Sequence, residues 1–219
     1  MNLDFLRIVP SIPFILNGIW VTLLFALVSA IIGLVIGTIL SLFKISRVKG
    51  LKGFADAYTS IFRGTPLLLQ LMILYFATPQ LTGYDIPPFL AAILAFGLNS
   101  GAYISEIIRA GIQSVDKGQQ EAAEALAIPY KLTMKDIILP QAFKNILPSL
   151  LNEFIDLTKE SSLVSIIGVL DLMRRAQVVS ANTYTSFEPL ITAGIVYYIM
   201  VMGLTQLGKV LERRLRRSE

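Results

Sequence analysis

Four long uncharged stretches fix the class of this chain. No charged residue occurs from Ile8 to Phe43, Gly64 to Tyr84, Ile86 to Ser105 or Pro189 to Gly208. A bilayer-crossing helix needs ~20 mainly apolar residues, and each run reaches that length. They are too long and too uniformly apolar for the amphipathic helices of a soluble core. The charged fraction is 16% over 219 residues, against roughly 25% in soluble domains. Cysteine is absent, which excludes a disulfide scaffold and a thiolate metal site. Histidine is absent too, which removes the usual general base and the commonest zinc ligand.

A fifth run starts near Pro140 and continues to Thr158, interrupted by Glu153 and Asp156. Its Leu and Ile density reads as a fifth, polar-lined span. Ser161 to Leu170 is too short to cross and suits a partial or re-entrant helix. The expected architecture is an all-α integral membrane protein with one domain, residues 1–219. Its spans fall near 14–43, 54–78, 88–112, 140–160 and 189–210, with an inner loop at 113–139.

Basic residues set the orientation. Fifteen of the 19 lie between Lys44 and Arg63, between Arg109 and Lys144, or from Lys209 onward. Only Arg7, Lys159, Arg174 and Arg175 fall on the other side. The positive-inside rule then places the N-terminus outside and the C-terminus in the cytoplasm. No cleavable signal peptide is expected, because the start lacks a basic segment and its apolar run is too long. Pro10 and Pro13 leave residues 1–13 along the outer interface. Arg213, Arg214, Arg216 and Arg217 are expected to anchor the tail at the inner face, not to bind nucleic acid.

Polar residues inside the spans are candidates for function. At 1.5 Å per residue, Glu153 lies roughly 12–20 Å and Asp156 roughly 17–24 Å into the membrane. Each buried acid costs roughly 2.5–3.5 kcal/mol on insertion scales, so such acids face a cavity or a partner. The two share a helix face. Asn152 is adjacent, and Lys159 and Glu160 follow at the outer end. Two carboxylates in a partly dry cavity attract a guanidinium or ammonium group. An internal ion pair between Asp156 and Lys159 is the competing reading, and both can hold.

Asn99 and Tyr103 sit four apart on the third span, placed to hydrogen-bond a solute's carboxylate or amino group. Asn99 serves equally well as glue between helices. Gly64-Thr65-Pro66 opens the second apolar run, and Pro66 restricts Thr65 to an extended conformation. That leaves backbone amides for a carboxylate, or simply marks a helix start with proline at its first position. The pairs Gly33/Gly37 and Gly97/Gly101 read as close helix packing.

The inner loop carries Gly118-Gln-Gln-Glu-Ala-Ala-Glu-Ala-Leu-Ala-Ile-Pro-Tyr130. Its composition predicts a helix from Gln119 to Ala127, broken at Pro129, and a second from Lys131 to Ile138. Small Ala122, Ala123 and Ala125 suit entry into a groove on another protein, with Leu126, Ile128 and Tyr130 as apolar anchors. A capped loop between two spans is the plainer alternative.

Glu121-Ala122-Ala123, a helix break, and then Ile138-Leu139-Pro140 resemble the EAA loop of bacterial ABC-importer permeases. The motif's usual glycine is Ala127 here, where glycine would permit a left-handed cap. Phe62–Gln70, Ser100–Arg109, Ala110–Gln119, Leu157–Leu163 and Ile167–Val169 resemble the polar amino-acid branch of that family. The resemblance covers nearly the whole chain. It implies the five-helix, MetI-like permease fold in the bacterial inner membrane. It implies a second permease subunit (a homodimer, or a heterodimer), two cytoplasmic ATP-binding subunits and an extracytoplasmic solute-binding protein. It also implies that Glu121, Ala122, Ala123, Leu126, Ala127, Ile128 and Pro129 couple to the ATPase. ATP and magnesium would sit on that partner, with no cofactor or metal on this chain.

The residues agree in one respect. No Gly-x-x-x-x-Gly-Lys-[Ser/Thr] loop occurs; Gly208-Lys209 is followed by Val210. The expected function is a non-enzymatic transport subunit for an amino acid, cationic if Glu153 and Asp156 face the path and neutral, such as glutamine, if Lys159 neutralises Asp156. An intramembrane hydrolase lacks a partner for its carboxyl pair. An ion-coupled carrier would be expected to show paired repeats, which are absent.

Overall fold

The computed structural model describes residues 4–216, and these contain helices and no strand. Two 3-10 turns, Phe5–Arg7 and Val9–Ser11, and a short turn Ile12–Leu16 lead into α1, Gly18–Ile45. Next come α2 (Lys49–Gly64) and α3 (Leu67–Met72), the latter continued by a π-helical stretch Ile73–Ala77 and a last turn Thr78–Thr82. The central helix is α4, Pro88–Gln113. The inner loop holds α5, Lys117–Ala125, a turn Tyr130–Leu132 and a π-helical stretch Thr133–Ile138. Then follow α6 (Leu139–Glu160), a 3-10 segment Ser161–Ile167, α7 (Leu172–Thr183) and α8 (Phe187–Arg216). Arg217 and residues 1–3 lie outside the described residues.

The core is a parallel seam between α1 and α4. Its glycines face each other's neighbours. A Cβ on Gly33 would lie 2.8 Å from Ser100 Cβ, and one on Gly37 would lie 2.7 Å from Ile104 Cβ. Reciprocally, Cβ atoms on Gly97 and Gly101 would each meet an isoleucine methyl, Ile32 or Ile36, at 2.6 Å. No larger residue fits without moving a helix. The two small-residue pairs are thus two halves of one contact, as their spacing predicts. Phe25 and Phe96 extend the seam, with ring centroids 4.8 Å apart edge-to-face. α6 runs antiparallel against α4, and Gly111 admits the Ile146 side chain where a Cβ would clash at 2.1 Å.

Three helical stretches among the described residues are long and apolar enough to cross a membrane: Val9–Ile45, Pro88–Gln113 and Phe187–Arg214. The expected continuous span at 54–78 is not one helix. Lys49–Gly64 and Leu67–Thr82 meet at a bend of 100°. The cause is local: Thr65 is extended at φ −121°, ψ 145°, as a residue before proline must be. α2 is amphipathic and buries only Ala55 and Thr59. α6 has the length of a span and a strongly polar face. The 3-10 segment Ser161–Ile167 matches the short helix expected there.

The N-terminal segment is pinned to the molecule by two buried side chains, while residues 4–7, Val9, Pro10 and Pro13 stay exposed. Ile8 and Ile15 are buried with Leu172, Ala176, Val179 and Ala193. The Asp4 amide donates to Glu188 Oε1 at 3.0 Å. Arg175 donates to the Phe14 carbonyl at 3.2 Å and sits 4.7 Å from the Phe14 ring centre.

Candidate functional site

The two acids of α6 behave differently. Asn152, Asp156, Lys159 and Glu160 fall on one helical stripe, and all four are exposed in the single chain. Lys159 Nζ and Asp156 Oδ1 pair at 2.6 Å, with side chains 54% and 56% exposed. The internal ion pair allowed by the sequence therefore forms, and it lies on the outer surface of the helix. Glu153 is half-buried against α4, where the Ser100 hydroxyl donates to its Oε1 at 2.7 Å. Its second oxygen has no hydrogen-bond partner among the described residues.

Asn99 is used as glue. Its amide donates to the Phe62 carbonyl at 3.0 Å and to Gln70 Oε1 at 3.1 Å. Gln70 in turn donates to the Phe62 carbonyl at 2.9 Å and to Thr65 Oγ1 at 2.9 Å. The Thr65 hydroxyl donates to the Ile61 carbonyl at 2.9 Å. These groups staple the α2–α3 bend to α4 and satisfy carbonyls that the helix break leaves open. Pro66 is the residue before α3 begins, not its first helical position, so the expected proline start is displaced by one. Gly64 closes α2 with open space beside it. Tyr103 is partly exposed, and the Arg63 guanidinium lies 5.3 Å from its ring centre. Neither Asn99 nor Tyr103 hydrogen-bonds the α6 acids among the described residues.

Sequence reasoning missed Ser100, Gln70 and a charged cluster around Lys44. The Lys44 side chain is only 4% exposed, yet it contacts three acceptors. It donates to Thr59 Oγ1 at 2.8 Å, pairs with Glu106, and lies 3.6 Å from Asp56 Oδ1. Arg109 closes the set, donating to Glu106 Oε2 at 2.6 Å and 3.0 Å. The i, i+3 spacing of Glu106 and Arg109 was a readable signal. Lys44 was not readable, because its partners come from two other helices. An opening of about 990 Å³ adjoins this end, lined among others by Glu106, Ser114, Asn145, Ser149 and Glu212.

The inner loop has a defined cap. Ala127 adopts the left-handed conformation at φ 55°. Its amide donates to the Glu124 carbonyl and that of Ile128 to the Ala123 carbonyl, both at 2.9 Å. This is a Schellman cap with alanine where glycine is usual. The helix ends at Ala125, earlier than the expected Ala127. Ala123 is 2% exposed and packs inward, so it is not on the face expected to enter a partner's groove. Leu126, by contrast, is 74% exposed and Tyr130 61%. Glu121, Ala122 and Pro129 are exposed and Ile128 partly so.

With this geometry in place, relatives identify the class. The family of binding-protein-dependent transport system inner membrane components matches residues 29–217. The chain belongs to that family. It is 58% identical over 219 residues to the arginine transport system permease protein ArtQ of Bacillus subtilis, covering 100% of both chains. It is 56% identical over 206 residues, 94% of each chain, to GlnP of Rickettsia bellii, a protein named for glutamine transport. A crystal structure of an amino acid ABC transporter with histidines matches with a TM-score of 0.95 at 43% identity, covering 98% of this chain and 100% of that one. The permease is thus an inner-membrane, multi-pass subunit of an amino-acid ABC importer, with the ABC-permease fold. Hydrolysis of ATP belongs to the partner subunit of such a transporter.

Proposed function

We propose that the permease passes a cationic amino acid such as arginine, lysine or histidine, and that Glu153 and Asp156 of α6 meet it. The observation that carries this is the half-buried Glu153, with one oxygen held by Ser100 and the other unpartnered among the described residues. Beside it, the stripe Asn152, Asp156, Lys159 and Glu160 faces away from its own chain. Acids at membrane depth face a cavity or partner, since lipid cannot solvate them. Asn99, Tyr103, Thr65 and Gly64 border the route in this account. Asn99 and Thr65 act by fixing the bend, Tyr103 through its partly exposed ring.

The proposed topology has five passes, with α2–α3 counted as one broken pass and α6 as a polar-lined one. The N-terminus is outside and the C-terminus inside. A second permease subunit, a copy of this chain, faces α6. The exposed Glu121, Ala122, Leu126, Ile128 and Pro129 dock in the ATP-binding subunit, with Ala127 capping the docking helix and Ala123 holding it to the permease. An external solute-binding protein docks at the opposite end. ATP binding closes the ATPase pair and shifts the permease between two rigid-body states.

The test is ATP-driven uptake by the reconstituted transporter carrying Glu153→Gln or Asp156→Asn. Removing a charge-assisted hydrogen bond is expected to lower arginine uptake about tenfold or more. Unchanged arginine and lysine uptake in both variants overturns the proposal. A neutral polar solute, glutamine, is the second reading. It is favoured by the 2.6 Å Asp156–Lys159 pair, which cancels one acid, and by the 56% identity to GlnP. Glutamine uptake that survives both substitutions selects it.

A further inference from the structure

Gly33, Ser100 and Glu153 lie at one level across α1, α4 and α6. A helical serine ordinarily turns its hydroxyl back onto a carbonyl of its own helix. Ser29 has no partner among the described residues and Ser180 turns to Ser186, but Ser41 and Ser105 do so, at 2.8 Å to the carbonyl three residues earlier. Ser100 does not. It is fully buried, and its hydroxyl crosses to Glu153 Oε1 at 2.7 Å. The α1 backbone closes the space behind it, because a Cβ on Gly33 would come within 2.8 Å of both Ser100 Cβ and Oγ.

The geometry points to Ser100 as a positioning and specificity-determining residue that holds the Glu153 carboxylate and presents its second oxygen to a cationic solute. The inference rests on the proposal that Glu153 meets the solute. A carboxylate gripped through one oxygen has lost its rotational freedom before binding, so less entropy is lost when a guanidinium or ammonium arrives. A neutral amide gains less from this, since it lacks the charge that makes such a hydrogen bond strong. The glycine seam therefore has a second consequence. Gly33 lets α1 approach closely enough to fix the serine, and the serine fixes the acid.

The test is equilibrium binding of arginine and of glutamine to the purified permease–ATPase complex. The variants are Ser100→Ala, Ser100→Cys, Glu153→Gln and the Ser100→Ala/Glu153→Gln double variant. Ser100→Ala is expected to weaken arginine binding roughly five- to tenfold and to narrow the preference for arginine over glutamine. In the Glu153→Gln background the same change is expected to add nothing, because the serine acts through the acid. Ser100→Cys keeps a weaker donor of similar size, so a smaller arginine loss is expected. This variant decides the matter if the alanine variant fails to assemble. If Glu153→Gln weakens arginine binding while the Ser100 variants leave it unchanged, the role of Ser100 is refuted and the site stands. An equal loss for both solutes, or in both backgrounds, reduces Ser100 to packing and overturns the inference. If Glu153→Gln itself leaves arginine binding unchanged, the underlying site is wrong.

Discussion

Asp171 shows how burial and hydrogen bonding compete at a single residue. It caps α7, accepting the Arg174 amide at 2.8 Å and the Met173 amide at 3.3 Å. The Tyr197 hydroxyl donates to it at 3.1 Å. Burial outweighs these donors and pushes its carboxyl up from 3.8 to about 6. A raised folded value means the folded chain holds the proton longer than the unfolded chain. The resulting stability is fully present below pH ~4 and is lost as pH rises through about 6. The size is about 2–3 kcal/mol. The unfolding temperature of the detergent-solubilised permease is therefore expected to fall between about pH 4 and pH 6. Asp171→Asn is expected to flatten that dependence, and an unchanged slope in the variant contradicts the assignment. At this scale the sequence was partly legible. The Asp156–Lys159 pair follows from spacing along one helix. Ser100 was invisible because its partner Glu153 arrives from another helix, and for Asp171 only the local cap, not the Tyr197 contact, could be read from spacing.

Among the elements, the inner loop and the end of α7, at Tyr184, carry left-handed residues other than glycine, and the inner loop's is the more informative. Ala127 sits in a left-handed cap at φ 55°, a conformation that costs an L-residue with a Cβ roughly 1–2 kcal/mol. Glycine at this position removes the strain, and a β-branched side chain deepens it. Amide exchange over residues 117–128 is expected to slow in Ala127→Gly and to quicken about tenfold or more in Ala127→Val. Equal exchange in the two variants contradicts the cap. The helix here was legible from its Ala and Glu content, but its end was not, because the Schellman bonds decide it. The π-helical stretch Thr133–Ile138 likewise left no sequence signal. Gly64-Thr65-Pro66 marked a helix start, but the span expected at 54–78 ran through it. The 100° bend and its staple of Asn99 and Gln70 needed the structure.

The whole molecule is organised around α4, with α1 and α6 as its principal neighbours. Uncharged runs located α1, α4 and α8 because lipid imposes a simple rule on length and polarity. The same rule fails for α6, whose acids are tolerated only where something other than lipid covers them. That failure marks the proposed route. The central claim is that this polar face selects a positively charged amino acid. It is tested most directly by equilibrium binding of arginine, lysine and glutamine to the purified wild-type permease–ATPase complex, without the external binding protein. Arginine or lysine is expected to bind about tenfold or more tightly than glutamine, the margin one charge-assisted hydrogen bond provides. Glutamine binding as tightly as both cations would contradict the account.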